Sequence, residues 1–330
     1  MKIIDLPPAM RSVASGHSVL RAALLVLWVT LVGGLLALPA DPLRAQDEEE
    51  LPAAEDVTMV TSDGVRLNAT WLPGTHEKET VPVIMLHGFG GGGKEQDRSS
   101  LLPMARYLQE KFGFSVLVPD LRGHGQSMSL EGSPEQFDIE KWRKPQIAAM
   151  VEDIEACKKF LIGKNNEGQL NIDLLTIVAE SELAMHAAIW TLRDWSYGPI
   201  AGRKQGRDVK ALVLIDPVRS FRGLNANDTF RAGMFTGDVG AAFPILIAAQ
   251  RSSSRDAKTI LGLWERGRKS LGVDKDSDHL DYTAYRIESQ QRIVKRGNRV
   301  IPLAQVIGDF VQSEVFDRKR DFRWQDRSSK

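Results

Sequence analysis

Two short stretches hold residue types and spacings that suggest chemistry. The first is HGFGGGGK, His87 to Lys94, which follows the apolar run VPVIML. Gly88, Gly90 and Gly93 spell G-x-G-x-x-G, and Gly88 to Lys94 spell G-x-x-x-x-G-K. Either pattern can cradle a phosphate on main-chain N–H groups when a strand precedes it and a helix follows. A triphosphate loop then needs Ser or Thr to hold magnesium; the residue here is Glu95, whose carboxylate would repel phosphate. KEQDRSS also intervenes before the next helical stretch, so nucleotide binding is not expected and no cofactor is implied. A plain flexible glycine turn accounts for the same residues. The second stretch is VAESELA, Val178 to Ala184, where an apolar run gives way to a helical one. The Ser181 hydroxyl would be a nucleophile only if an adjacent base took its proton. A serine in front of a helix is also the commonest N-cap, and Ser-Glu-Leu is an ordinary helix start.

The elements that must position these stretches follow from hydrophobic periodicity. DVTMV and RLNATWL, separated by TSDGV with its Asp-Gly, read as a β-hairpin. VPVIML, FSVLVPD, LLTIVAE, ALVLIDP, FPILIAA and LDYTAYRI read as strands, most of them short apolar runs suited to a buried sheet. Between them lie helical stretches: SSLLPMARYLQEKFG, KWRKPQIAAMVEDIEACKKFLIG, ELAMHAAIWTLRDW and DAKTILGLWERGRKS. VIPLAQVIGDFVQSEVF reads as a closing helix, and DRKRDFRWQDRSSK as a frayed charged tail. Alternating strands and helices predict an α/β fold, a mostly parallel sheet with helices on both faces and an antiparallel hairpin at its N-terminal edge.

Composition narrows the partners. With 43 basic and 43 acidic residues the chain has no charge bias, and nucleic acid is not expected. Cys157 is the only cysteine, which excludes a disulfide framework and a Cys-x-x-Cys zinc site. Near the start, Arg11 and Arg21 precede the apolar run Ala22 to Leu38, and Ala45 precedes QDEEE. A basic flank, an apolar stretch and a small residue make a secretory signal. The run is also near the lower limit for a membrane span, so an uncleaved anchor touching the membrane through residues 22–38 is an alternative. The expected organisation is a signal or anchor over 1–45, an acidic linker over 46–56, a single domain over 57–315 and a charged tail over 316–330. The chain would then be exported, to the periplasm or cell envelope.

Three pieces, in order and at strand ends, resemble the α/β-hydrolase fold superfamily in its esterase, lipase and serine-peptidase branch. They are LHGFGGGG (86–93), PDLRGHGQS (119–127) and VAESELA (178–184). The resemblance makes Ser181 the candidate nucleophile, on a strained strand-to-helix elbow. It makes the N–H groups of Phe89 and Glu182 the oxyanion donors, with His87 and Gly88 shaping the loop. Residues two before and two after the serine must be small; Ala179 is, and Leu183 must force the elbow open or turn it into a milder bend. The Glu182 carboxylate would oppose negative charge on a substrate unless it points to solvent. His124, in RGHG, reads as a hydrogen-bonding prop.

The same resemblance shows what is missing. The superfamily places its base, a histidine, in the loop after the last strand. Here that segment reads ESQQRIVKRGN, and Gln290 and Gln291 stand about where the histidine belongs. His186 lies on the nucleophile's own helix, rotated away from Ser181, and His279 precedes the last strand. Asp216 and Asp256 are the acid candidates, but an acid without its histidine has nothing to orient. Lys94, Glu180 or Glu182 could replace the base only if burial shifted its pKa by a few units. With Val218 to Ala242 too short for a large lid, the crevice at the strand ends is expected to be open. Two functions compete: a non-catalytic binding or scaffolding protein taking a small acyl or peptide ligand, and an unusual ester or peptide hydrolase built on Ser181.

Overall fold

Along the buried strand Pro82–Leu86 the side chains divide by parity. Val83 and Met85 join one apolar cluster, and Ile84 and Leu86 join another. The same alternation in the neighbouring strands makes one sheet with a core on each face. The computed structural model describes residues 51–90, 96–200, 204–231, 243–269 and 280–328.

The order is β1 (Glu55–Val60), β2 (Arg66–Leu72), β3 (Pro82–Leu86), α1 (Leu102–Phe112), β4 (Ser115–Pro119), α2 (Lys144–Ala149), α3 (Val151–Asn166), β5 (Leu175–Glu180), α4 (Leu183–Ser196) and β6 (Val209–Ile215). There follow a small hairpin of β7 (Ser220–Phe221) and β8 (Leu224–Asn225), then α5 (Ala226–Phe230), β9 (Ile245–Ala249), α6 (Ser254–Lys269) and β10 (Leu280–Ala284). The chain closes with β11 (Arg286–Glu288), β12 (Gln291–Arg296), β13 (Arg299–Pro302) and α7 (Leu303–Val311). Eight strands form the main sheet in the order β1-β2-β4-β3-β5-β6-β9-β10. β1–β2 and β2–β4 are antiparallel, and the remaining pairs are parallel, so the expected α/β architecture with its N-terminal hairpin is present. Apolar residues of α3, α4 and α6 pack on one face, and those of α1 and α7 on the other.

Three elements differ from the sequence reading. LDYTAYRI splits at Tyr285 into β10 and β11, and Gln291–Pro302 is a pair of strands where a loop and a helix start were expected. β11, β12 and β13 form a separate antiparallel sheet joined by two-residue loops, with φ +48° at Ser289, +66° at Gln290 and +60° at Gly297. Such loops match the twist of paired strands, which is why the chain turns there. The third difference is the tail, which is docked instead of frayed. Asn171 Nδ2 donates to Phe322 O at 2.8 Å, Trp324 Nε1 donates to Asn165 O at 3.2 Å, and Arg327 Nη2 meets Asp208 Oδ1 at 2.5 Å.

Arg327 thereby completes a buried ionic network at the N-terminal ends of β5 and β6. Lys158 Nζ lies 2.5 Å from Asp194 Oδ1 and 2.8 Å from Asp208 Oδ2, with all three side chains almost wholly buried. Asp194 Oδ2 accepts from the N–H groups of Asp208 (2.7 Å) and Val209 (3.2 Å). Burial pushes the Asp208 carboxyl up, but Lys158, Arg327 and Lys204 together hold it below its ordinary range. Among the described residues no helix is long and apolar enough to cross a membrane, and Ala22 to Leu38 lie outside those residues.

Candidate functional site

The three sequence pieces converge at the C-terminal ends of β3, β4 and β5, in the middle of the sheet where ligands of α/β proteins gather. Ser181 follows β5 directly, with φ +51°. A left-handed conformation at a non-glycine residue costs about 1–2 kcal/mol and persists only where the surroundings hold it. Here Ser181 N donates to Ile215 O at 2.8 Å, and Ser181 O accepts from Ala184 N at 3.3 Å. The large Leu183 does not relax the bend, contrary to expectation. It is fully buried in the cluster that contains Ala179, Ala184 and Ala187, so small neighbours make room for it.

A strained serine needs a base, and among the described residues no side chain is hydrogen-bonded to the Ser181 hydroxyl. Each nearby histidine is committed to the main chain. His87 donates from Nδ1 to Gly88 O at 2.8 Å and accepts from Leu121 N at Nε2 (3.1 Å). Its ring is wholly buried, and burial, with His124 beside it, lowers its pKa to about 4. His124 donates from Nδ1 to Arg122 O (2.9 Å) and accepts from Gly90 N (3.1 Å), so it props the glycine loop. His186 points Nε2 at Ile147 O (2.8 Å) and Nδ1 at Glu182 O (3.3 Å), inside the protein; burial lowers its pKa. His279, Lys94 and Gly93 lie outside the described residues.

The acid candidates are also engaged elsewhere. Asp216, with φ +47°, accepts from Gln250 N and Nε2 (2.8 Å each) and from the hydroxyls of Ser253 and Tyr285. Burial and the bond to Asp216 both raise the Tyr285 pKa, so this phenol is no base near neutrality. Asp256 sits in the first turn of α6 and accepts from Arg219 N at 3.0 Å, away from Asp216. Gln290 and Gln291, expected at the histidine's position, are exposed, Gln290 in the turn of the β11–β12 hairpin and Gln291 at the start of β12. The next residue, Arg292, reaches in instead and pairs with Glu180, the residue before Ser181. The Glu180 carboxylate is thus engaged by Arg292, with no hydrogen bond to the Ser181 hydroxyl.

The oxyanion position carries the largest departure. Phe89 N–H, expected to face a developing oxyanion, donates to Glu182 Oε2 at 3.2 Å. The Glu182 side chain thus turns neither to solvent nor away, but onto the donor that a substrate oxygen would need. Gly88 packs beside this contact: a Cβ there would lie 3.5 Å from Ser181 Cβ and 3.8 Å from Glu182 Oε2, ordinary van der Waals distances. Phe89 itself is covered: its ring lies 5.0 Å from Phe221 and 4.9 Å from His124, with the Arg222 guanidinium 5.1 Å away. Arg222 Nη1 also donates to Ile139 O (2.6 Å) and Trp142 O (3.1 Å). The β7–β8 hairpin therefore packs on the Phe89 ring; residues 232–242 of the same segment, on which the expectation of an open crevice also rests, lie outside the described residues.

The RGHG turn supports the arrangement from the side. Asp120, nearly inaccessible, accepts from Arg98 N and Gln126 N (2.9 Å each) and pairs with Arg98 Nη1 at 2.6 Å. Gly125, at φ +49°, lies against that carboxylate, and a Cβ there would sit 2.4 Å from it. Among the described residues no group of three His, Cys, Asp or Glu could hold a metal ion. Sequence reasoning missed Tyr285, Gln250 and Arg292 as partners at the elbow. Only Arg292 left a trace, as the cation inside ESQQRIV.

Comparison with known proteins agrees with this geometry. The family model described as the α/β hydrolase fold matches residues 81–166, which include HGFG and RGHG and end before the elbow. Uncharacterized proteins from two strains of Mycobacterium tuberculosis are 30% identical over 116 residues, 35% of this chain and 34% of theirs. The chain thus spans about a third of the length of the curated relatives it matches. Among solved structures, DcsB in complex with its substrate analogue superposes with a TM-score of 0.51 at 15% identity, covering 80% of this chain and 99% of DcsB. A Pyrococcus furiosus esterase gives 0.50 at 16% identity, covering 82% and 93%. Sheet order, elbow and comparisons together show that this chain has the α/β-hydrolase fold.

Proposed function

We propose that this chain is an exported protein of the cell envelope that binds a small acyl or peptide ligand, or a protein partner, at the old substrate crevice without hydrolysing it. The observation that carries the reading is the Glu182 carboxylate on the Phe89 N–H. Acyl transfer needs that donor free at the moment negative charge develops on the substrate oxygen. A carboxylate in its place does the opposite. Two like charges about 4 Å apart repel by about 4 kcal/mol at an effective dielectric of 20, close to a thousandfold in rate. The histidines at the site, each committed to the main chain, point the same way.

The second reading is a serine hydrolase on Ser181 with a non-standard base. What favours it is the left-handed φ of Ser181, which a mere N-cap does not require. Turnover of a p-nitrophenyl butyrate solution by the full chain and by Ser181→Ala separates the two. Equal background rates are expected; turnover lost with Ser181 would overturn the binding reading. Export is tested by the mature N-terminus. A start near Gln46 means cleavage, and an intact Met1 in the membrane fraction means an anchor through residues 22–38. An intact chain in the soluble cytoplasmic fraction would contradict export.

A further inference from the structure

A cavity of about 360 Å³ lies between the first turns of α1 and α7 and the β11–β12 hairpin. Its wall is formed by Pro103, Met104, the Tyr107 ring, Pro302 and Ala304, with Arg292 at one side. Tyr107 spends its hydroxyl on Gln305 Oε1 at 2.5 Å, so it offers the cavity its ring. Ser100, Gln290 and Gln291 add uncharged polar groups, and Arg292 is the one charged residue among the described lining residues. An apolar concavity of this size with few convergent polar groups is the usual form of a small-ligand site.

Arg292 decides the sign of the ligand. Its Nη1 is paired with Glu180, and among the described residues the rest of the guanidinium has no second acceptor. A guanidinium carries five N–H donors in a planar fork that fits a carboxylate. Burial lowers the Arg292 pKa, yet a guanidinium starts so far above neutrality that it stays charged. We propose that this cavity binds a small amphipathic carboxylate, its head on Arg292 and its apolar part along Met104, Pro103 and Ala304. The site is separate from the crevice at Ser181 and does not depend on whether that crevice is catalytic. It touches the elbow through Glu180, which competes with the ligand for the same cation.

Isothermal titration of the full chain with octanoate, octan-1-ol and octylamine tests this. Octanoate is expected to bind at least tenfold more tightly than either neutral or cationic analogue. Arg292→Gln should weaken it at least tenfold, and Arg292→Lys less. Glu180→Gln, which frees the guanidinium, should tighten it severalfold. Ala304→Leu fills the cavity and leaves the ion pair intact, so it keeps the test valid if Arg292→Gln does not fold; it too should weaken octanoate at least tenfold. No octanoate binding, equal binding of octanol, or octanoate affinity unchanged in folded Ala304→Leu would overturn the proposal. The last outcome would mean that octanoate binds elsewhere, for example in the crevice.

Discussion

The two ends of the central strands treat buried polar groups differently. At the N-terminal ends of β5 and β6, Lys158 is shared by Asp194 and Asp208, and Arg327 comes from the end of the chain to complete the set. Opposite charges meet there, and one residue beside them, Arg207, also has a left-handed φ of +60°. At the C-terminal ends, Ser181 and Asp216 both have positive φ, and Glu180 and Glu182 flank the serine. The carboxylates and the Phe89 N–H at this end are partnered too, but by groups that catalysis would need free: Glu182 takes Phe89 N–H, Arg292 takes Glu180, and Tyr285 with Gln250 takes Asp216. One end has the pairing of a structural clamp. The other keeps the geometry of a reactive turn while its donors and acceptors serve the fold.

The comparison breaks most visibly at the clamp. Lys158→Met would leave two buried carboxylates facing each other, and removing one partner of a buried pair costs about 3–5 kcal/mol. Urea unfolding should show that loss as a lower midpoint with an unchanged slope. Next comes His87. Its folded pKa, about 4, lies below the ordinary histidine value of 6.5, so the unfolded chain takes up a proton first as pH falls. Its contribution is complete above pH 6.5 and is lost on acidification through about pH 4, amounting to about 3 kcal/mol. The urea midpoint should fall between pH 7 and 4.5, and His87→Gln should flatten that slope.

Smaller effects sharpen the contrast at the elbow. Glu182→Ala removes one charge-assisted acceptor and should cost about 1 kcal/mol, without conferring esterase turnover because no base is supplied. Ser181→Gly relieves the left-handed strain at a residue the fold does not otherwise need. After the entropy cost of glycine it should stabilise by about 0.5 kcal/mol, visible as a small rise in thermal midpoint.

The strands, their order and the elbow were legible in the sequence because they rest on local pattern: VPVIML and LLTIVAE are apolar runs that can only be buried. The β11–β12 turn was not, because Ser289 and Gln290 both adopt positive φ without the glycine or asparagine that usually marks such a turn. Gly297–Asn298 does carry a hairpin signal, but it was hidden in a charged stretch read as loop. At the site, the absent histidine is visible in ESQQRIV. What replaced it is not, since Glu182 and Phe89 are 93 residues apart and Arg292 and Glu180 are 112 apart. Pairings of that range depend on side-chain reach in the folded sheet. The docked tail was misread for the same reason, its anchors being long-range contacts such as Asn171 to Phe322, Trp324 to Asn165 and Arg327 to Asp208.

Ser181 has the left-handed backbone of a nucleophile elbow, and the proposal is that it does not act as one. Incubating the full chain with a fluorophosphonate and mapping the adduct by mass spectrometry tests it most directly. The account predicts no adduct at Ser181 at concentrations that saturate an active serine esterase run in parallel. A stoichiometric adduct on Ser181, absent from Ser181→Ala, would contradict it.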